Sequence, residues 1–181
     1  FLPSLMKDRN LEDVQIRLTL ISTQSAFDFI RTQEMLKKLP KIDKLRVDWT
    51  ARTSSKDQIT SDECLIDDES LLHIVSQTNH AELDKGECTA QGILRAFEMV
   101  CESPIVSKFV SFDAQKQQIN ELFSFANWKF DKIESGSGRS KELIHRETRT
   151  SLTARFHDTY YSVEMYKFDK DFSVLAKVVK W

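Results

Sequence analysis

SLTARFHDTYYSVEMYKFDKDFSVLAKVVKW, residues 151–181, decides how the rest of the chain is read. It divides into three extended runs, Thr150–Phe156, Tyr160–Phe168 and Phe172–Trp181, which predict three consecutive strands. In the first run Leu152, Ala154 and Phe156 share one face. In the next two, large apolar groups stand on both faces: Tyr161, Val163 and Met165 on one, Tyr160, Tyr166 and Phe168 on the other. The short helices expected here would cover only one face of the sheet. The other is expected to meet a second sheet, a second unit or a partner chain.

Working outward, an offset of 103 residues brings Thr50-Ala51-Arg52 onto Thr153-Ala154-Arg155. Asp68, Ser70, Leu72 and Val75 fall on Asp171, Ser173, Leu175 and Val178, and Gln15-Ile16 on Gln118-Ile119. Phe27-Asp28 falls on Phe130-Asp131, Ile30 on Ile133, Lys38 on Lys141 and Arg46 on Arg149. That is about fourteen identities in about sixty positions, where chance gives roughly four. A duplicated unit is the expectation, with boundaries at 1–86 and 87–181.

Length and composition are compatible with that division, since 181 residues make one domain or two small ones. Hydrophobic residues are 40% and charged residues 30%, with four Gly and three Pro, which excludes a disordered or low-complexity chain. A net charge of −2 gives no whole-chain attraction to nucleic acid or to an anionic membrane. No apolar run approaches a membrane span, and no signal-peptide pattern opens the sequence. Phe1 is not a start methionine, so a piece of a longer protein is expected. Cys64, Cys88 and Cys101 are odd in number and widely spaced, which argues against a disulfide framework. A reducing, cytoplasmic setting follows, with secretion the alternative if a leader has been removed.

In chain order, Leu11, Val14, Leu18 and Ile21 are helically spaced and predict a helix over 10–22. A short strand follows at 25–31, then a helix over 32–39 that Pro40 ends. From Ile42 to Arg52 the period is two, with Leu45, Val47, Trp49 and Ala51 on one face. Residues 58–66 and 70–77 are expected as strands, the second because the offset matches Leu71, Leu72, Ile74 and Val75 to an extended segment. A closing strand at 80–84 ends before Gly86. Thr89 caps a helix over Ala90–Glu102 whose Ile93, Phe97, Val100 and Cys101 make one apolar face. Asp113 is expected to cap a helix reaching Ser124, Trp128–Glu134 to be a strand, and Ser140–Glu147 a third helix.

Helix, helix, strand, short helix and three or four antiparallel strands is the order of the nuclear-transport-factor-2-like, cone-shaped α+β superfamily. LFSFANWKFDKI, SKELIHRE and YYSVEMYKFDKDFSVLAKVVKW resemble its small nematode domains. This resemblance implies an α+β fold of two tandem units, each with short helices on a strongly curved, mainly antiparallel sheet. The first unit would lack its opening helix and the second its closing strand. It also implies a conical pocket lined by Trp128, Asp131, His145, Tyr160 and Tyr166. A second resemblance, carried by TAQGILRAFEMVCESPIVSKFVSF, is to the strand–helix alternation of nematode F-box-associated domains. It implies a substrate-recognition domain of a ubiquitin ligase.

An Asp desolvated beside an aromatic ring suits acid or base work, which is the chemistry open to Asp131 with His145 and Trp128. The bland alternative makes Asp131 a surface strand residue and the aromatics core. The four His residues have no metal-ligand spacing, no Gly-rich phosphate loop is present, and Cys101 on an apolar helix face reads as an inert buried thiol. No metal and no cofactor are expected. Basic residues gather at Arg139, Lys141, Arg146, Arg149 and Arg155, a pattern that serves RNA or a solvated face. The leading expectation is therefore a non-enzymatic module that binds a protein partner or a second copy. Its anchors would be Tyr160, Tyr161, Tyr166, Phe168 and Trp181, with Arg155 and Arg52 at the rim. Its rival is a small-molecule binder or isomerase-like enzyme using the cone pocket.

Overall fold

Eight stretches of backbone are extended in the computed structural model, which describes residues 15–22, 33–51, 66–105, 107–125, 127–157 and 160–167. They are β1 (Gln15–Ser22), β2 (Ile42–Ala51), β3 (Thr78–Lys85), β4 (Lys108–Gln115), β5 (Phe130–Glu134), β6 (Ser140–His145), β7 (Ser151–His157) and β8 (Tyr160–Lys167). Among the described residues, a short helical turn at 33–36, where a helix over 32–39 was expected, and three longer helices lie among them: α1 (Asp68–Gln77), α2 (Ala90–Glu102) and α3 (Lys116–Phe125). All eight strands form one mixed sheet in the order β1-β2-β3-β4-β8-β7-β6-β5. The first four are parallel neighbours, and the rest of the sheet is antiparallel. The fold is α+β.

That split follows from the connections. Parallel neighbours need a crossover, and β3 reaches β4 through α2. The antiparallel strands need only turns: Gly138, with φ of +67°, occupies the bend between β5 and β6, and Arg149 adopts φ of +59° between β6 and β7. After β8 has returned beside β4, the sheet runs without a break from the parallel half into the antiparallel half.

Burial alternates along β4 and β8, whereas Ser151 to Thr153 of β7 are buried on both faces. Val110, Phe112 and Ala114 of β4 are buried while Phe109, Ser111 and Asp113 are partly exposed. Cross-strand register links the buried set into a row of Leu45, Ala81, Val110, Met165, Leu152 and Leu143. Over this face pack Leu71, Ile74 and Val75 of α1, Ile93, Phe97 and Val100 of α2, and Ile119, Leu122 and Phe123 of α3, in one core. Phe97 stacks on Phe130 with ring centroids 5.4 Å apart, tying α2 to β5.

α1 and α2 interlock through polar groups at their starts. Asp67 caps α1, accepting from the Ser70 N–H at 2.8 Å. Asp68 reaches the cap of α2 and accepts from the Thr89 N–H at 2.7 Å and the Thr89 hydroxyl at 2.6 Å. Thr89 in turn accepts from the Gly92 N–H at 3.0 Å. At the other end of the sheet the lysines on β4 and β8 serve helix C-termini. Lys108, 3% exposed, donates to the Thr78 carbonyl at 2.8 Å, and Lys167 donates to the carbonyls of Cys101 and Ser103 at 2.9 and 2.5 Å.

Several expectations are corrected. Residues 15–22 form a strand, not part of a helix: Ile16, Leu18 and Leu20 already alternate. Residues 68–77 are helical, so the offset misdirects there, and the apolar spacing of Leu71, Leu72, Ile74 and Val75 carries the real signal. Residues 140–145 are a strand pairing β5 and β7, not a helix. Asp113 lies inside β4, and α3 starts three residues later. The 103-residue offset also aligns unlike elements: Gln15-Ile16 in β1 falls on Gln118-Ile119 in α3. Ala51 lies in β2, which is parallel to its neighbours, and Ala154 in β7, which is antiparallel to both of its own. One sheet crosses position 86, and half of it is parallel, which gives the two-unit, mainly antiparallel arrangement no support. α2 and its Thr89 cap, β2, β7 and β8 stand as read. The expected elements at 25–31 and 172–181, and all of 58–66 except Ile66, lie outside the described residues.

Candidate partner-binding surface

The strand residues that do not enter the core form the second face of the sheet, and among the described residues no helix lies over it. Register orders them into rows perpendicular to the strands. One row reads Lys44, His80, Phe109, Tyr166, Ser151, Ile144, Asp131 from β2 to β5. The neighbouring row reads Arg46, Glu82, Ser111, Glu164, Thr153, Glu142, Ile133. Alternation of side chains fixes this assignment, because a residue two positions along a strand returns to the same face.

The centre of the first row is aromatic. His80 and Phe109 rings lie 4.8 Å apart, and Tyr166 is the register partner of Phe109. Tyr166 and Phe109 are half-buried, and the small residues Ser111 and Ser151 lie beside them. Tyr160 is 36% exposed farther along β8 and stacks on His157 at 5.4 Å. Charged pairs flank the aromatics. Glu82 takes Arg46 at 3.0 Å and His80 at 3.1 Å, and Glu164 takes Arg155 at 3.0 Å. A pocket of about 270 Å³ opens at the β2 end of the face, lined by Lys44, Leu45, Arg46, His80 and Glu82.

A second concavity, about 240 Å³, lies at the C-terminal end of α2 and is lined in part by Cys101, Trp128, His145 and Thr148. His145 Nδ1 accepts from the Thr148 N–H at 3.2 Å, which leaves the ring proton on Nε2. Burial pushes the Cys101 thiol up to about 11, so it is held as the unreactive thiol. The structure therefore brings Trp128 and His145 together, but not with Asp131. That carboxylate belongs to the open sheet face and is bound to Arg146 Nε at 2.8 Å. No acid–base pair of Asp131 and His145 is assembled there, and of the five expected pocket residues only Trp128 and His145 line this concavity.

Of the expected anchors, Tyr160, Tyr166 and Arg155 share the open face. Tyr161 is corrected: at 2% exposure it is a core residue tilted against Phe156, since it has the phase of Val163 and Met165. Phe168, Trp181 and Arg52 lie outside the described residues. Sequence reasoning missed His80 and Phe109. The signal for Phe109 was the alternation in KFVSFDAQ, left unassigned between a helix and a supposed cap. Trp128, 73% exposed, and Phe125, 57% exposed, are the most exposed large apolar groups among the described residues; Phe125 ends α3 and Trp128 lies on the α3–β5 connection.

No protein-family model matches the chain, and no curated protein matches its sequence. Among the described residues, no group of His, Cys, Asp or Glu is placed to hold a metal ion, and no helix is long and apolar enough to cross a membrane.

Proposed function

We propose that this chain is a non-enzymatic protein-recognition module that docks its partner on the open sheet face. The uncovered aromatic row His80–Phe109–Tyr166, framed by ion pairs, is the observation that carries the reading. Half-buried aromatics between charged rims are the composition from which interface hot spots are built. The rival pocket reading is weaker, because Asp131 is spent on Arg146 and does not itself line the concavity of Trp128 and His145.

A photo-crosslinker placed at Ser111 tests this, with one at exposed Arg95 of α2 as the control. The partner, or a second copy of the chain, should be captured from position 111 and not from 95. Capture should fall when Tyr166→Ala is added while the fold survives. Equal capture from both positions would reject the surface.

The second resemblance gains a specific support that the first lacks. From β3 to α3 the chain alternates strand and helix along a parallel ladder, the order that suggested an F-box-associated domain. On that reading the docked partner is a ubiquitin-ligase substrate. Its cellular half-life should lengthen when the open face is mutated. An unchanged half-life would remove the ligase role and leave the docking surface standing.

A further inference from the structure

The open face is electrically polarised across its width, and that polarity describes the segment it would hold. At the β2 end Lys44 is exposed and makes no hydrogen bond or ion pair among the described residues, and it borders the 270 Å³ pocket with Arg46 and His80. At the β6 end the Glu142 carboxylate accepts from the Ser151 hydroxyl at 2.5 Å and has no cation partner among the described residues. Between them, Glu82 and Glu164 are already neutralised by Arg46 and Arg155. Among the described side chains of this face, the uncompensated charges are therefore one positive and one negative, with Phe109 and Tyr166 between.

Resting on the docking reading above, we infer that the surface recognises an extended peptide segment laid across the strands, with an acidic residue over Lys44, an apolar or aromatic residue against Phe109 and Tyr166, and a basic residue over Glu142. The spacing follows from sheet geometry. β2 and β6 are five strand steps apart in the sheet order, which at about 4.8 Å each gives about 24 Å. An extended chain rises about 3.3 Å per residue, so acid and base stand about seven or eight residues apart. Phe109 and Tyr166 are two and three steps from Lys44, which puts the apolar residue about three or four positions from the acid. Charge at the two ends fixes direction and excludes partners of the reverse polarity, while the apolar contact supplies adhesion.

The test is selection of phage-displayed random twelve-residue peptides on the whole chain, on Lys44→Glu and on the double variant Lys44→Glu/Glu142→Lys. The wild type should enrich peptides with that charge spacing. A synthetic consensus peptide should bind Lys44→Glu about tenfold more weakly, and the double variant should select the reverse order of charges. Glu142→Gln, which keeps the size of the side chain, should lose affinity in the same direction. Circular dichroism checks that each variant is folded. Enriched peptides without the charge pair, whose binding still falls with Tyr166→Ala, would overturn this inference and leave the docking surface intact. Peptides indifferent to Tyr166→Ala and to every charge variant would overturn both.

Discussion

Gly92 sits where a methyl group cannot. A Cβ built there would lie 2.1 Å from the Asp68 carboxyl carbon, the carboxylate that bridges α1 to the cap of α2. In an open helix Gly→Ala gains roughly 0.5–1 kcal/mol. Here the sign reverses: Gly92→Ala should destabilise by about 1–3 kcal/mol, the usual cost of overpacking, measured by urea unfolding. A stabilised Gly92→Ala would show that the Asp68–Thr89 bridge does not hold the two helices at this distance. Lys108 gives a pH signature at the same scale. Burial, then the neighbouring Lys167 and Lys41 charges, pull its ammonium down to about 8. The folded state then binds fewer protons than the unfolded chain between pH 8 and the ordinary lysine value. Its penalty is fully present below pH 8 and is relieved as pH rises through that window. Cys101, pushed up by burial, acts oppositely above its ordinary value, so the comparison must be with Lys108→Met. Relative to that variant, wild-type stability should rise between pH 7.5 and 9.5; parallel profiles would refute the burial.

At the scale of elements, α1 depends on its first turn more than on its propensity. Asp67 closes that turn, and although partial burial pushes its pKa up, the Ser70 bonds and the Lys37 ammonium hold its carboxyl below the usual range. A depressed carboxyl contributes stability above its unfolded value and loses it as pH falls through the folded one. Asp67→Ala should therefore cost about 0.5–2 kcal/mol at neutral pH and progressively less in acid, read from thermal unfolding at several pH values. α1 also shows what was legible. Leu71, Leu72, Ile74 and Val75 carry a helical period, and Asp67 followed by Asp68 and Glu69 is an ordinary helix start. The offset to 171–178 overrode both, a distant coincidence outranking local physics. Ser140–His145 was the reverse case. Six residues are too few for period two to declare itself, and only pairing with β5 and β7 makes them a strand. The open face was legible by phase, since Tyr160 and Tyr166 stand opposite Val163 and Met165. Which phase the helices would cover was not, because both carry large rings, and Tyr161 was misplaced for that reason.

For the whole molecule the decisive fact is that β4 joins two kinds of sheet. It is parallel to β3 on one side and antiparallel to β8 on the other, and Val110 belongs to a buried row that runs from Leu45 to Leu143. Core and hydrogen-bond ladder thus cross position 86 together. Residues so coupled open as one cooperative unit, whereas two units with separate cores would open at their own free energies. Amides of Ala81 in β3, Val110 in β4 and Val163 in β8 should therefore exchange most slowly and converge on one free energy as denaturant is added. Those of Asp131 and Ile133, on the edge strand β5, should exchange sooner through local fraying. If Ala81 and Val163 instead followed separate denaturant dependences, the sheet would not be a single cooperative body. The rows proposed to read a peptide would then lie on two surfaces that move independently, and a recognition length of seven or eight residues would no longer follow.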